Sequence, residues 1–259
     1  MFAAVVFNSL FYDWIPAMHI DRVTITGADD STDIHWMVDM QERFPFVEWG
    51  ILVSKSQMGG YRFPSLDWLS RLIIPQDKLR TSMHVCGKWV REICDGDWSN
   101  LILEVGVVAE RCQRVQLNFH AHTHKLGDRF LSAAKRASSN SGWQLIFQID
   151  GVNDGLMNDA KDAGIDAVPL YDLSGGAGVL PSHWPKQPEC VYTGYAGGLG
   201  PRNVVEQVEK IKSVANGRIW IDMETRVRTE DDSRLDAALV ESVLAQCSQM
   251  DCLHVAVNS

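Results

Sequence analysis

Short apolar, β-branched runs recur along the chain at residues 22–26 (RVTIT), 46–53 (FVEWGILV), 79–85 (LRTSMHV) and 114–118 (RVQLN), and again at 143–149 (WQLIFQI), 167–171 (AVPLY), 190–195 (CVYTGY) and 218–222 (RIWID). Each has the length of a buried strand. Between them, apolar residues return at helical spacing over 33–44, 65–73, 98–111, 126–138, 153–164, 201–215 and 233–249, which predicts seven helices. Strands alternating with helices of these lengths imply a parallel sheet with helical crossovers. Eight strands with seven helices predict an α/β fold, a single (β/α)8 TIM barrel. The sixth connection is the irregular one: residues 175–188 hold three prolines and the small-residue run Gly175-Gly176-Ala177-Gly178, so a loop is expected there.

A doubly wound open sheet is the competing topology. No GxGxxG follows the first strand, and the glycine turns fall late in the chain. Late glycines favour the barrel, whose anion sites commonly follow strands seven and eight. No linker or internal repeat divides the sequence, so residues 1–259 are read as one domain with 1–21 as a lead-in.

Composition narrows the function classes. With 259 residues and 46% hydrophobic content the chain can bury a large core. A net charge of -9 without Lys/Arg runs argues against nucleic acid as a partner, because phosphate neutralisation dominates that affinity. The opening MFAAVVFNSLFYDWIPAMHI is apolar, but no Lys or Arg precedes Arg22, and Asn8 and Asp13 interrupt it. It is therefore read as structural rather than as a signal peptide. No window reaches the roughly 20 apolar residues of a membrane span. Six cysteines form neither a disulfide framework nor paired CxxC knuckles; reduced thiols and a cytoplasmic location are expected, with a small-molecule substrate as the partner.

The chemistry concentrates between Val168 and Glu224. Three strand-like segments there end in carboxylates or glycines, VPLYD, CVYTGYAGGLG and RIWIDMET, and a Pro-started helix opens at Pro201. An apolar strand, a glycine turn and a helix start together present backbone N–H groups to an anion.

From Arg22 onward the pattern resembles the phosphoribosylanthranilate isomerase family. Val23-Thr24-Ile25-Thr26-Gly27 is similar to that family's first-strand motif, and Val115-Gln116-Leu117 to its fourth. Leu170-Tyr171-Asp172 with Gly175-Gly176-Ala177-Gly178 is similar to its sixth strand and glycine loop, and Ala196-Gly197-Gly198-Leu199 with Pro201, Asn203 and Val204 to its seventh-strand signature. The resemblance implies a barrel that performs acid/base rearrangement of a phosphoribosylamine, with the general acid on Asp172. It also implies substrate contacts at Gly175, Gly176, Gly197 and Gly198, and at Arg62 toward the substrate's acidic end. The family's general base is a first-strand cysteine, and Thr26 stands in its place. Asp222-Met223-Glu224-Thr225 replaces the serine and glycine donors of the eighth-strand turn, and Asn118 and Phe119 replace a histidine and a glycine after strand four. A diverged, isomerase-like or lyase-like enzyme acting on a small phosphorylated sugar-derived substrate is the leading expectation. A metal-assisted hydrolase or lyase, and a non-catalytic metabolite- or protein-binding barrel, are the alternatives.

In the barrel register the rim gathers Asp29, Asp30, Glu48, His84, Asp172, Asp222 and Glu224. Crowded carboxylates raise one another's pKa, as a general acid needs. Asp172 is the expected acid, with His84, Asp29, Asp30 or Glu48 as base; Thr26, Asp222 and Glu224 are expected to touch substrate. Bland readings stand beside these: Asp29 or Asp30 as helix caps, Glu48 in a buried ion pair with an arginine, His84 and Cys86 as strand filler. His120, His122 and His124 form an HxHxH run, read as a solvated loop or as two ligands of one metal. No cofactor is required by the sequence, although a divalent metal bridging the rim carboxylates and a substrate phosphate is compatible with it. Trp184 is expected either to anchor the sixth loop or to close over a ligand.

Overall fold

The computed structural model describes residues 17–73, 78–119 and 126–253. The HxHxH run and most of the lead-in lie outside them. Eight parallel strands close into a barrel in chain order: β1 His19–Thr26, β2 Val47–Val53, β3 Thr81–Val85, β4 Arg114–Leu117, β5 Gln144–Ile149, β6 Ala167–Tyr171, β7 Thr193–Ala196 and β8 Arg218–Met223. Closure runs through β8 against β1, with Thr24 paired to Asp222 and Ile25 to Met223. Strand seven begins later than its apolar pattern indicates, because Val191 N–H bonds back to Pro188 O (3.2 Å) and Cys190 adopts φ 57°. That turn holds the chain out of the ladder until Thr193.

The helices are α1 Ile34–Arg43, α2 Leu66–Leu72, α3 Gly87–Cys94, α4 Ser99–Ala109, α5 Phe130–Ser141, α6 Leu156–Asp162, α7 Val204–Lys212 and α8 Ala237–Ser248. Side-chain oxygens fix several starts: Asp33 accepts from His35 N–H, Ser65 from Trp68 N–H, and Asp236 from Ala238 and Leu239 N–H, satisfying amides that the first turn leaves without partners. The α1 cap is thus Asp33. Helix α3 lies outside the seven ranges of helical spacing; it is held by burial of Trp89, Val90, Ile93 and Cys94 on one face. The sixth connection contains no helix, as expected. Trp184 is buried there, with its Nε1–H donated to Gln207 Oε1 (3.1 Å) and its ring edge-on to Tyr195 at 5.8 Å. It anchors the loop.

The main core lies between the outer faces of the strands and the helices. The lumen divides into two unlike halves. Ile146, Val168, Leu170 and Trp220 form an apolar cluster on β5, β6 and β8, whereas β1 to β4 contribute buried Thr24, Thr26, Glu48, Ser82, His84, Arg114 and Gln116. Barrel interiors are usually filled by branched aliphatics, so the polar half needs mutual partners. Gly194 lets the apolar half close: a Cβ there would lie 2.3 Å from the Trp220 ring and 2.6 Å from Leu170 Cδ1. Gly194→Ala is expected to lower stability by about 1–3 kcal/mol through overpacking, measured by chemical denaturation.

Candidate active site

A cavity of 460 Å³ opens at the C-terminal ends of the strands, where barrel loops gather catalytic groups. His84, Gln116, Gln148, Asp172, Asp222 and Glu224 line it, facing the glycine turns Gly175-Gly176 and Gly197-Gly198. Residues far apart in sequence meet there because each ends its strand at the same pole.

Asp222 projects inward near the end of β8 and accepts a hydrogen bond from Thr26 Oγ1 (2.8 Å). Burial pushes its carboxyl up to about 8, and the Glu224 charge adds to the effect, against the Thr26 hydrogen bond. A carboxyl that keeps its proton at neutral pH is a proton donor. Glu224, two residues on, is raised by burial and by Asp172, but the Arg62 guanidinium pairs with it and opposes the rise. The arginine neutralises the charge that would otherwise repel a phosphate.

Asp172 is differently placed. Ser174 N–H (3.2 Å) and Oγ (2.7 Å) bond to Oδ1, while Gly176 N–H (2.6 Å) and Gln148 Nε2 (3.0 Å) bond to Oδ2. Four donors therefore occupy the carboxylate, and they fold the glycine loop around it. Asp172, the expected acid, is therefore committed to shaping the loop, whereas burial favours the protonated form at Asp222. Gly175 N–H also turns inward, to Asp172 O (3.0 Å). The N–H groups of Gly175 and Gly176 are thus engaged within the protein.

Five other expected site residues stand outside the cavity lining. Glu48 lies lower in the lumen, bonded by Arg22 Nη1 (2.7 Å), Arg114 Nε (3.0 Å) and Thr24 Oγ1 (3.0 Å). Although burial works in the opposite direction, Arg114 and Arg22 hold its carboxyl down to about 2. It is the ion-pair partner of two arginines, not a base. Asp29 accepts from Ser31 N–H, Ser31 Oγ and Arg62 N–H (2.8 Å), and pairs with Arg228 at 3.4 Å, so it ties two loops together. Asp30 likewise accepts from Ser65 N–H at the start of α2 (2.7 Å). Arg62, at φ 72°, is committed to Glu224 and Asp232 rather than to an acidic substrate group. Thr26 spends its hydroxyl on Asp222.

His84 does line the cavity, but burial lowers its imidazole to about 3. A neutral ring of such low basicity is a hydrogen-bonding group rather than the expected base; its Nε2 lies 3.0 Å from Ser82 Oγ. Burial pushes the Cys86 thiol up to about 12, which leaves it without the thiolate a nucleophile needs. The start of α7 also misses the cavity. Pro201, Arg202 and Asn203 border a neighbouring one of 710 Å³ together with Arg228, while Thr225 and Arg226 face both. Asn203 spends its side chain closing the turn, accepting from Gly200 N–H (2.9 Å) and donating to Gly198 O (2.9 Å). Among the described residues no group of three or more His, Cys, Asp or Glu side chains is arranged to hold a metal ion, and no helix is long and apolar enough to cross a membrane.

Gln116 and Gln148 were missed as site residues. Their signal was present: each is a polar residue at an inward-facing position of an otherwise apolar strand.

No protein-family model matches the chain, and no curated protein does. Solved structures do. The chain is similar to a monomeric form of the dimeric phosphoribosylanthranilate isomerase of Thermotoga maritima, with TM-score 0.54 and 15% identity over 88% of this chain and 99% of that one. It is also similar to a phospho-2-dehydro-3-deoxyheptonate aldolase of Thermotoga maritima (TM-score 0.52, 12% identity, 90% and 68% coverage). A truncated 3-deoxy-D-arabino-heptulosonate 7-phosphate synthase from the same organism matches with TM-score 0.50, 12% identity and 88% and 86% coverage. The chain is a (β/α)8 barrel. Likeness at these identities establishes the fold and leaves the chemistry to the site.

Proposed function

We propose that the protein is an acid/base enzyme of the isomerase or lyase type, acting on a small phosphorylated sugar derivative. The observation that carries this reading is the pairing of Asp222, which keeps its proton, with Glu224, whose charge is supported by Arg62, on one strand end beside a cavity. Burial raises both carboxyls, but only Glu224 has an arginine beside it that favours its charged form, so the pair supplies a donor and an acceptor of protons. Asp222 donates to a carbonyl or hydroxyl oxygen, and Glu224 takes a proton from the adjacent carbon. Opposite them, the Gly197-Gly198 backbone and Arg226 suit a phosphate. The names of the structural neighbours, an isomerase, an aldolase and a synthase of phosphorylated or phosphate-linked compounds, are compatible with this chemistry.

The test pairs binding with proton exchange. A sugar phosphate at 100 times its Kd is expected to stabilise the protein by about 2.7 kcal/mol, and a ligand that turns over is expected to take up deuterium from D2O at the carbon beside its carbonyl, read by NMR. Glu224→Gln is expected to stop that exchange. Absence of exchange with every aldose and ketose phosphate bound would sink the reading. Gly198→Asp is expected to abolish the thermal response to inorganic phosphate. A side chain there meets Leu180 N at 2.7 Å and Gly178 O at 2.9 Å, at φ 63°, and adds a negative charge.

A further inference from the structure

Three side chains that line the same cavity each keep one buried polar atom without a partner: His84 Nδ1, Gln116 Oε1 and Gln148 Oε1. They stand on the consecutive strands β3, β4 and β5, on side chains 1%, 4% and 3% exposed. Gln148 donates Nε2–H to the Asp172 carboxylate (3.0 Å), a group that can only accept when ionised, and this orients the amide with Oε1 turned away. Gln116 donates Nε2–H to Asn118 Oδ1 (2.7 Å) and leaves Oε1 in the same situation. Buried acceptors left unmade are costly, and a ligand that satisfies them gains accordingly.

The charges around these atoms say which ligand. Glu224 is paired with Arg62, and Asp172 is saturated by four donors. What remains is neutral: two amide oxygens that accept, and His84 Nδ1, which accepts or donates according to the tautomer of the ring; such groups suit hydroxyls, which do both. Arg62, which the isomerase resemblance assigns to an acidic substituent, is bound to Glu224 and Asp232 and lies outside the lining. Among the described residues, the cationic side chain lining the cavity is Arg226, whose Cβ packs toward Gly200 on the glycine side.

We propose that Gln116, Gln148 and His84 form a subsite for neutral hydroxyl groups, so that the cavity selects a ligand with a polyol end over one ending in a carboxylate. The proposal deepens the acid/base reading and rests on it for the place of the phosphate end. It sets this chain apart from an enzyme that must hold an acidic aromatic substituent.

Calorimetric titration with ribitol 5-phosphate, 5-phosphoribonate, ribitol and inorganic phosphate tests it. Ribitol 5-phosphate is expected to bind at least about tenfold more tightly than 5-phosphoribonate, which presents a carboxylate to buried acceptors. Gln116→Met and Gln148→Met, close in size but lacking the amide oxygen, are each expected to weaken ribitol 5-phosphate by about tenfold and to leave inorganic phosphate unchanged, with unaltered circular dichroism. Equal or tighter binding of 5-phosphoribonate overturns the proposal, as does unchanged affinity in both methionine variants. If phosphate binds and ribitol 5-phosphate binds no better, the hydroxyl subsite is lost and the anion cradle stands. If ribitol binds and phosphate does not, the cradle is lost and the subsite stands.

Discussion

Asp222→Asn is expected to lower turnover by about 10²–10⁴-fold while making the protein harder to unfold. The two effects have one cause. In the unfolded chain this carboxyl ionises near its ordinary value of 3.8, and in the fold near 8, so between those pH values the folded protein holds a proton that the unfolded chain has released. The stability contributed by this group is fully present below pH 3.8 and is lost as pH rises toward 8. At pH 7 the cost is on the order of 4 kcal/mol, and asparagine avoids it while still accepting from Thr26. The excess stability of Asp222→Asn over the native protein should therefore grow from pH 5 to pH 8, as measured by urea denaturation at each pH. In the native protein, the proposed turnover should fall above about pH 8 as the donor loses its proton. A variant with full turnover, or a stability difference that does not move with pH, removes Asp222 from the role of acid.

Glu48→Gln is expected to be the opposite case, a loss of stability with little effect on chemistry. Glu48 sits in the lower lumen between Arg114, fully buried and stacked at 4.4 Å over Trp220, and the partly buried Arg22. Removing the carboxylate strands a buried guanidinium, which typically costs about 3–5 kcal/mol. A melting temperature lower by roughly 10 °C follows for a domain of this size. Because its pKa is depressed to about 2, the contribution of Glu48 is fully present above pH 4.5 and disappears as pH falls toward 2. The double variant Glu48→Leu/Arg114→Leu should recover much of the loss, since neither charge is then left alone. Turnover per folded molecule should be nearly that of the native protein. A normal melting temperature in Glu48→Gln would mean that the ion pair is not what holds the polar half of the lumen.

These two acidic residues show why much of the site was illegible in the sequence. Both are inward-facing strand carboxylates between apolar neighbours, and alternation predicts that orientation for each. What separates them is height in the barrel and the residues across it. Arg114 lies 66 positions from Glu48 and Thr26 lies 196 positions from Asp222, and no local pattern records those distances. The same limit applies to Arg62. Its place after strand two suggested a substrate contact, but Asp232, 170 residues away, and Glu224 claim it first. His84 was judged by the ordinary titration of imidazole, a property that burial removed.

The strand and helix alternation, by contrast, was set by local chemistry. Apolar runs of strand length, helical spacing between them and the proline- and glycine-rich sixth connection determined a closed eight-stranded barrel, because burying those faces admits few other arrangements. The sequence also determined that Asp172, Asp222 and the late glycine turns would share the C-terminal pole, since strand ends in a parallel barrel all point one way. Which carboxyl keeps its proton, which is neutralised and which merely shapes a loop was decided only by tertiary structure. Those properties depend on solvent exclusion and on partners brought together across the lumen, and neither exists until the barrel has closed.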